Sequence, residues 1–159
     1  MADIPGFDPI PADDYEPLLL TTQEQVDKYW PRASKLIEKC VRRAMHGEMD
    51  VEDIKRMVLS QQAYVFVVKN DNGIQPDVRL VVILEVLQYP KLPALNILVL
   101  AGSELDVFFE KFWQKLCGWA YMNGVRAIEG MVSPAMQRVI SRYGFKPVNT
   151  QMRLDLSEA

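Results

Sequence analysis

The sequence is poor in the residues from which metal centres and nucleophilic triads are built. Among 159 residues there is one histidine, His46, and there are two cysteines, Cys40 and Cys117. One histidine leaves no His-based metal cluster and no histidine triad to assemble, and no metal site is expected. Both cysteines sit in helical patterns among apolar neighbours and neither is in a CxxC, so they read as two buried, reduced thiols. No apolar run approaches the ~20 residues that span a bilayer, so no membrane role is expected. The opening MADIPGFDPIPADDYEP lacks the basic start and the apolar stretch of a secretory signal. Excess positive charge is missing too. The net charge is −3, and residues 1–20 hold Asp3, Asp8, Asp13, Asp14 and Glu16 with no Lys or Arg, which leaves +2 for the rest of the chain. That is too little for nonspecific nucleic-acid binding through phosphates.

What is present fits one domain with a sizeable core. Residues 1–17 form an acidic segment with Pro5, Pro9, Pro11 and Pro17, which reads as an extended arm; residues 18–159 read as a single domain. YEPLLL suggests a short first strand. Thr22 followed by Gln25 is a capping box, and apolar residues from Val26 to Met45 recur at helical spacing up to His46-Gly47. Pro31 predicts a kink or a fresh helix start within that stretch. Asp50 caps a second helix through Val51, Ile54, Met57 and Val58. AYVFVVK, VRLVVILEVLQY and LNILVLA then read as strands, the middle one apolar enough to be central. A long helix follows with Leu105, Phe108, Phe109, Phe112, Leu116 and Trp119. Phe109 and Trp113 widen its apolar stripe, so an exposed aromatic there would mark a subunit or partner contact. Asn123-Gly124 ends it. AIEGMV is a strand, PAMQRVISRY a short helix opened by Pro134, and FKPVNTQMRLDL a last strand region. The order is β-α-α-β-β-β-α-β-α-β, an α/β domain with a central mixed sheet flanked by helices.

That order, together with WAYMNGVRAIEGMVSPAMQRVISRYGFKPV and its Gly144-Phe145, resembles the GNAT fold, the Gcn5-related N-acetyltransferases. YPKLPALNILVLAG running straight into an acidic aromatic helix, and RYGFKPVNTQMRLDL at the end, are similar to small GNAT-like proteins of tailed bacteriophages. Some of those are acetyltransferases and some are internal virion proteins. The resemblance covers about residues 20–156. It implies a fourth strand splayed from the fifth, with acyl-CoA in the notch. The backbone of Leu98, Val99 and Leu100 would hold the pantetheine and thioester, and a loop containing Gly102 and Ser103 would hold the pyrophosphate.

That loop, Ala101 to Asp106, has one glycine, no basic residue and two acids, Glu104 and Asp106. Ser103 as N-cap with Asp106 at the third helical position would satisfy the helix amides internally and place negative charge where a pyrophosphate would sit. The tyrosine that many GNAT enzymes use as acid corresponds to Ile140 here; Tyr143, beside Gly144, is the nearest substitute. Glu85 and Glu129, each in a strand, are the candidate bases. Set beside the resemblance, the acidic turn, Ile140 and the acidic arm imply a GNAT-like phage protein with a degenerate acyl-CoA site, no bound cofactor, and a structural role among other protein subunits, either as a homo-oligomer or with virion proteins. The expected location is the host cytoplasm or the virion. The alternative is an acetyl-CoA-dependent N-acyltransferase acting on an amine.

Overall fold

The β-branched and aromatic runs of the sequence form the middle of a five-stranded sheet. The computed structural model describes residues 15–103 and 105–158. Its strands are β1 (Glu16–Leu19), β2 (Ala63–Asn70), β3 (Asp77–Gln88), β4 (Pro93–Gly102) and β5 (Ala127–Glu129), in spatial order β1-β2-β3-β4-β5. The first three pairings are antiparallel and β4 pairs with β5 in parallel. Such a mixed sheet needs cover on both faces. Helices α1 (Gln23–Ala44) and α2 (Val51–Leu59) cover one face, burying Ala33, Ile37 and Ile54 against Val65, Val81 and Ile83. Helices α3 (Leu105–Lys111), α4 (Trp113–Met122) and α5 (Pro134–Ser141) cover the other, where Phe108, Phe112, Leu116 and Ile140 meet Val82, Leu84 and Leu95.

The local signals act as the sequence suggests at most helix ends. Thr22 and Gln25 form a reciprocal capping box, as do Asp50 and Asp53. Ser133 caps α5, with Pro134 in its first turn. Asn123 closes α4, with Gly124 following at φ +87°. Four details differ. Pro31 lies inside a continuous α1, so no fresh helix starts there. The expected long helix is interrupted at Phe112, which stands between α3 and α4 at φ −119°, and Phe108, Phe109, Phe112 and Trp113 are all buried. Burial of Phe109 and Trp113 also removes them as a partner contact. The two thiols are half-buried rather than buried. The last strand region, from Phe145, forms no strand among the described residues; a short 3₁₀ turn, Leu156–Glu158, ends the chain.

The proposed boundary between arm and domain falls inside β1, since Glu16 and Pro17 pair with Lys69 and Val68; the arm's residues 1–14 lie outside the described residues. No helix among the described residues is long and apolar enough to cross a membrane.

Lys69 anchors the β1 edge. It is 7% exposed and ion-pairs with Glu16 and, at 2.5 Å, with Asp71, which also accepts from the Tyr29 hydroxyl at 3.0 Å. Burial works against charge on both Lys69 and Asp71. The hydrogen bonds win: Lys69 is raised above the ordinary lysine value and Asp71 is held below the ordinary carboxylate value. The Asp71 contribution is therefore fully present above the unfolded carboxylate value, about 4, and is lost as pH falls through its lower folded value. Urea denaturation of wild type and Asp71→Asn should show a stability gap at neutral pH that closes as pH drops below about 4; a gap constant with pH would mean that the charge on Asp71 is not what matters.

Candidate active site

Strands β4 and β5 pair through three residue pairs: Ala94 with Ala127, Leu95 with Ile128, and Asn96 with Glu129. β4 then continues to Gly102, still paired with β3, while the chain after Glu129 turns off toward α5. Pairing of the two strands thus stops at Asn96, and among the described residues no strand lies beside β4 beyond it; the notch that the resemblance implies would open here. A β-bulge sits at the mouth of the notch. Ile83 pairs with Val99 and Leu84 with Ile97, so Leu98 is an extra residue in β4. Leu98 and Val99 consequently both face the α1–α2 layer. A bulge re-aims backbone groups and interrupts the ladder, here on the three residues, Leu98, Val99 and Leu100, expected to hold a thioester. Cys40 of α1 reaches the same edge. Burial pushes its thiol up, and a hydrogen bond with the Leu100 backbone acts the other way.

The side chains beside the notch come from three adjacent strands in register. Glu85 lies opposite Asn96, and Asn96 opposite Glu129. Their neighbours Leu84, Leu95 and Ile128 pack on the α3–α4 side, so by strand alternation this row faces the α1–α2 layer. The buried Asn96 donates from Nδ2 to Glu85 Oε1 at 3.0 Å. Tyr89 donates its hydroxyl to Glu129 Oε1 at 2.7 Å. The hydrogen bond to Glu129 raises the Tyr89 pKa, with lesser contributions from desolvation and from the negative charges of Glu129 and Glu85. Tyr89 is therefore a firmly protonated donor at neutral pH. The two candidate carboxylates of the sequence are thus brought into one row.

Tyr89 and Asn96 are additions that sequence reasoning missed. Their signal lay in the hairpin: with Gln88 opposite Pro93, a four-residue loop at YPKL places Glu85 opposite Asn96.

The other predicted residues are placed elsewhere. Tyr143 stacks on Phe109, ring centroids 4.4 Å apart and planes 12° from parallel, within the packing of the α3–α4 face. Ile140 is buried beside it. Gly102 has φ +127°, and a Cβ there would stand 2.1 Å from the Arg79 carbonyl oxygen. Ser103 donates its amide to that same oxygen at 2.9 Å. This glycine thus serves the close approach of β4 to β3, and one amide of the turn is already used. Asp106 lies in the first turn of α3, whereas Glu104 lies outside the described residues.

No family model and no curated protein matches this sequence. Solved structures do match its shape. A predicted acetyltransferase from Clostridium acetobutylicum, solved with acetyl-CoA, superposes with a TM-score of 0.66 at 11% identity, over 91% of this chain and 98% of that one. A Trypanosoma brucei acetyltransferase gives 0.62 at 14% identity, over 88% and 99%. The aminoglycoside acetyltransferase meta-AAC0020 from an uncultured soil metagenomic sample, in complex with sisomicin, gives 0.59 at 13% identity, over 89% and 97%. The chain has the GNAT-like α/β fold. The strand order, the diverging β4 and β5 and the helix layers are all parts of that fold, and the likeness speaks for the fold alone.

Two outcomes follow from this geometry. Gly102→Ala should lower the unfolding free energy by more than about 1 kcal/mol, read by chemical denaturation, because the residue would meet both strain at positive φ and the Arg79 carbonyl. In an NMR titration of ring-labelled tyrosines, Tyr89 should ionise above the ordinary tyrosine value, and Glu129→Gln should bring it down. An unchanged Tyr89 titration would separate the two residues.

Proposed function

We propose that the chain is an acetyl-CoA-dependent N-acyltransferase acting on an amine. The observation that carries this reading is the bulged, unpaired edge of β4 opening beside the Glu129–Tyr89 pair. The acyl-CoA fits this site unevenly. The backbone of Leu98 and Val99, on the edge of β4 with no strand beside it, would meet a pantetheine arm and a thioester, while the Leu100 backbone is already engaged with the Cys40 thiol. The turn at Gly102 and Ser103 offers less to a pyrophosphate, since its glycine and one amide are engaged with Arg79 and Asp106 adds negative charge nearby. Acetyl-CoA, when bound, supplies the activated acyl carbon.

The protein's own groups divide the remaining work. Glu129 Oε1 is occupied by the Tyr89 proton, and this fixes the carboxylate so that Oε2 can take a proton from an acceptor amine, directly or through one water. Glu85 holds the Asn96 amide and sets its orientation beside Glu129. Ile140 cannot donate a proton and Tyr143 is stacked on Phe109, so a leaving thiolate takes its proton from water in this reading. The structural, virion-associated role that the resemblance to phage proteins implied has less behind it: the three solved structures named above are acetyltransferases, and no finding bears on a phage origin.

The test is calorimetric titration with acetyl-CoA, followed by thiol-release assays over a panel of amines. Saturable one-site binding is expected, together with slower alkylation of Cys40 when the ligand is present. Glu129→Gln should lower kcat/KM by about 10²-fold or more, and Tyr89→Phe by less. No binding at millimolar acetyl-CoA would overturn the reading.

A further inference from the structure

The C-terminal segment has the pattern of a strand and pairs with no strand among the described residues. From Phe145 to Asp155 the chain belongs to no helix or strand. Its large apolar side chains are among the most exposed in the molecule: Val148 at 84%, Met152 at 91%, Leu154 at 83% and Leu156 at 76%. Met152, Leu154 and Leu156 alternate with Arg153, Asp155 and Ser157, so an extended backbone puts the apolar residues on one side and the polar ones on the other. In the chain's own sheet β5 offers three residues of edge, and the segment pairs neither with these nor with the edge of β4 from Ile97 to Gly102. The segment is instead tied to the turn between α1 and α2, where Arg153 donates to the His46 carbonyl at 3.2 Å and to Glu48 Oε1 at 2.6 Å.

The segment is complementary to itself in one register. In antiparallel pairing about a two-fold axis at Leu154, Arg153 of one copy stands opposite Asp155 of the other, and the symmetry makes this pair twice. On the apolar side Met152 meets Leu156, and Leu154 meets Leu154. Centring the axis on Arg153 would set arginine against arginine, and centring it on Asp155 would set aspartate against aspartate. Shifts by a single residue would put apolar side chains opposite polar ones. One register therefore satisfies both charge and hydrophobicity.

We propose that the occupant of this surface is the same segment of a second copy, forming a symmetric dimer through residues 151–157. Formation exchanges the tie of Arg153 to Glu48 for the cross-copy pair with Asp155, and it extends the 3₁₀ turn at Leu156–Glu158. A two-stranded ribbon by itself is marginal in water. The dimer is therefore weak and concentration-dependent. The inference is independent of acyl-CoA binding.

Sedimentation equilibrium of the full chain, from micromolar to about millimolar, tests it. The weight-average mass should climb from the 18.2 kDa of one chain toward twice that value. Arg153→Asp and Asp155→Arg should each raise the dimer dissociation constant by roughly tenfold or more, because each puts two like-charge pairs across the axis. The double variant carrying both should restore association, which a general loss of structure would not do. Glu48→Gln frees Arg153 without touching the paired segment and should leave dimerisation as strong or stronger. A mass fixed at one chain throughout would overturn the proposal. So would single charge reversals that associate like wild type, which would place any dimer on another face.

Discussion

The brevity of the pairing between β4 and β5 governs the arrangement of everything around it. Its cause is local and lies in the four residues after Glu129. Ser133 accepts from the Met136 amide, and Pro134 takes the first turn of α5, so the chain is committed to leaving the sheet within four residues of the last β5 pair. β4 is under the opposite constraint. Its far end is held to β3 through Gly102 opposite Leu80, with a glycine that lets the strands approach closer than any side chain would permit. One strand held straight and its neighbour pulled away can only diverge. The unpaired backbone groups of β4 are the consequence, and unpaired edge groups demand water, a ligand or another chain.

The bulge at Leu98 falls where that divergence begins. Before it, β4 alternates one residue to each layer; at it, Leu98 and Val99 both face α1 and α2. The extra residue draws Leu98 out of the ladder with β3 at the point where β5 no longer shields the other side. The carboxylate row sits just before this point, on the last pair that β5 contributes. Glu129 is thus at once the end of a strand and the rim of the notch, and its hydrogen bond comes from Tyr89 in the loop that joins β3 to β4. Glu129 is carried on a strand and fixed by one hydrogen bond, which suits an acid–base role.

Much of this was legible in the sequence, for physical reasons. Helix starts at Thr22, Asp50 and Pro134 are short-range events decided by a few residues, and they read correctly, whereas α3 starts at Leu105, and the start expected directly after Ser103 falls on Glu104, outside the described residues. Glu85 and Glu129 stood out because carboxylates in apolar strands are conspicuous. Their convergence was not legible, because it depends on the register between β3, β4 and β5, which sequence fixes only through hairpin length and packing. Tyr89 and Asn96 were missed for the same reason. The break at Phe112 and the unpaired tail were missed because periodicity states that a segment can form a helix or strand, not that a partner surface exists to receive it. The tail is an instance: Met152, Leu154 and Leu156 have the strand pattern and pair with no strand among the described residues.

The turn at Gly102 shows how one residue type in one place can answer to two masters. A glycine between a strand and a helix invites a phosphate reading, since both close approach and free amides favour anions there. Here the close approach is to the Arg79 carbonyl, and the Ser103 amide goes to the same oxygen. The dipole of the seven-residue α3 is also met by Asp106 in its own first turn. An acyl-CoA bound in the proposed way would therefore depend on its pantetheine arm and thioester, contacts made through neutral backbone groups and apolar side chains. Affinity built that way is less sensitive to salt than affinity built on phosphate pairing. The acidic turn then does not decide between enzyme and scaffold; it decides which half of the ligand the protein would hold.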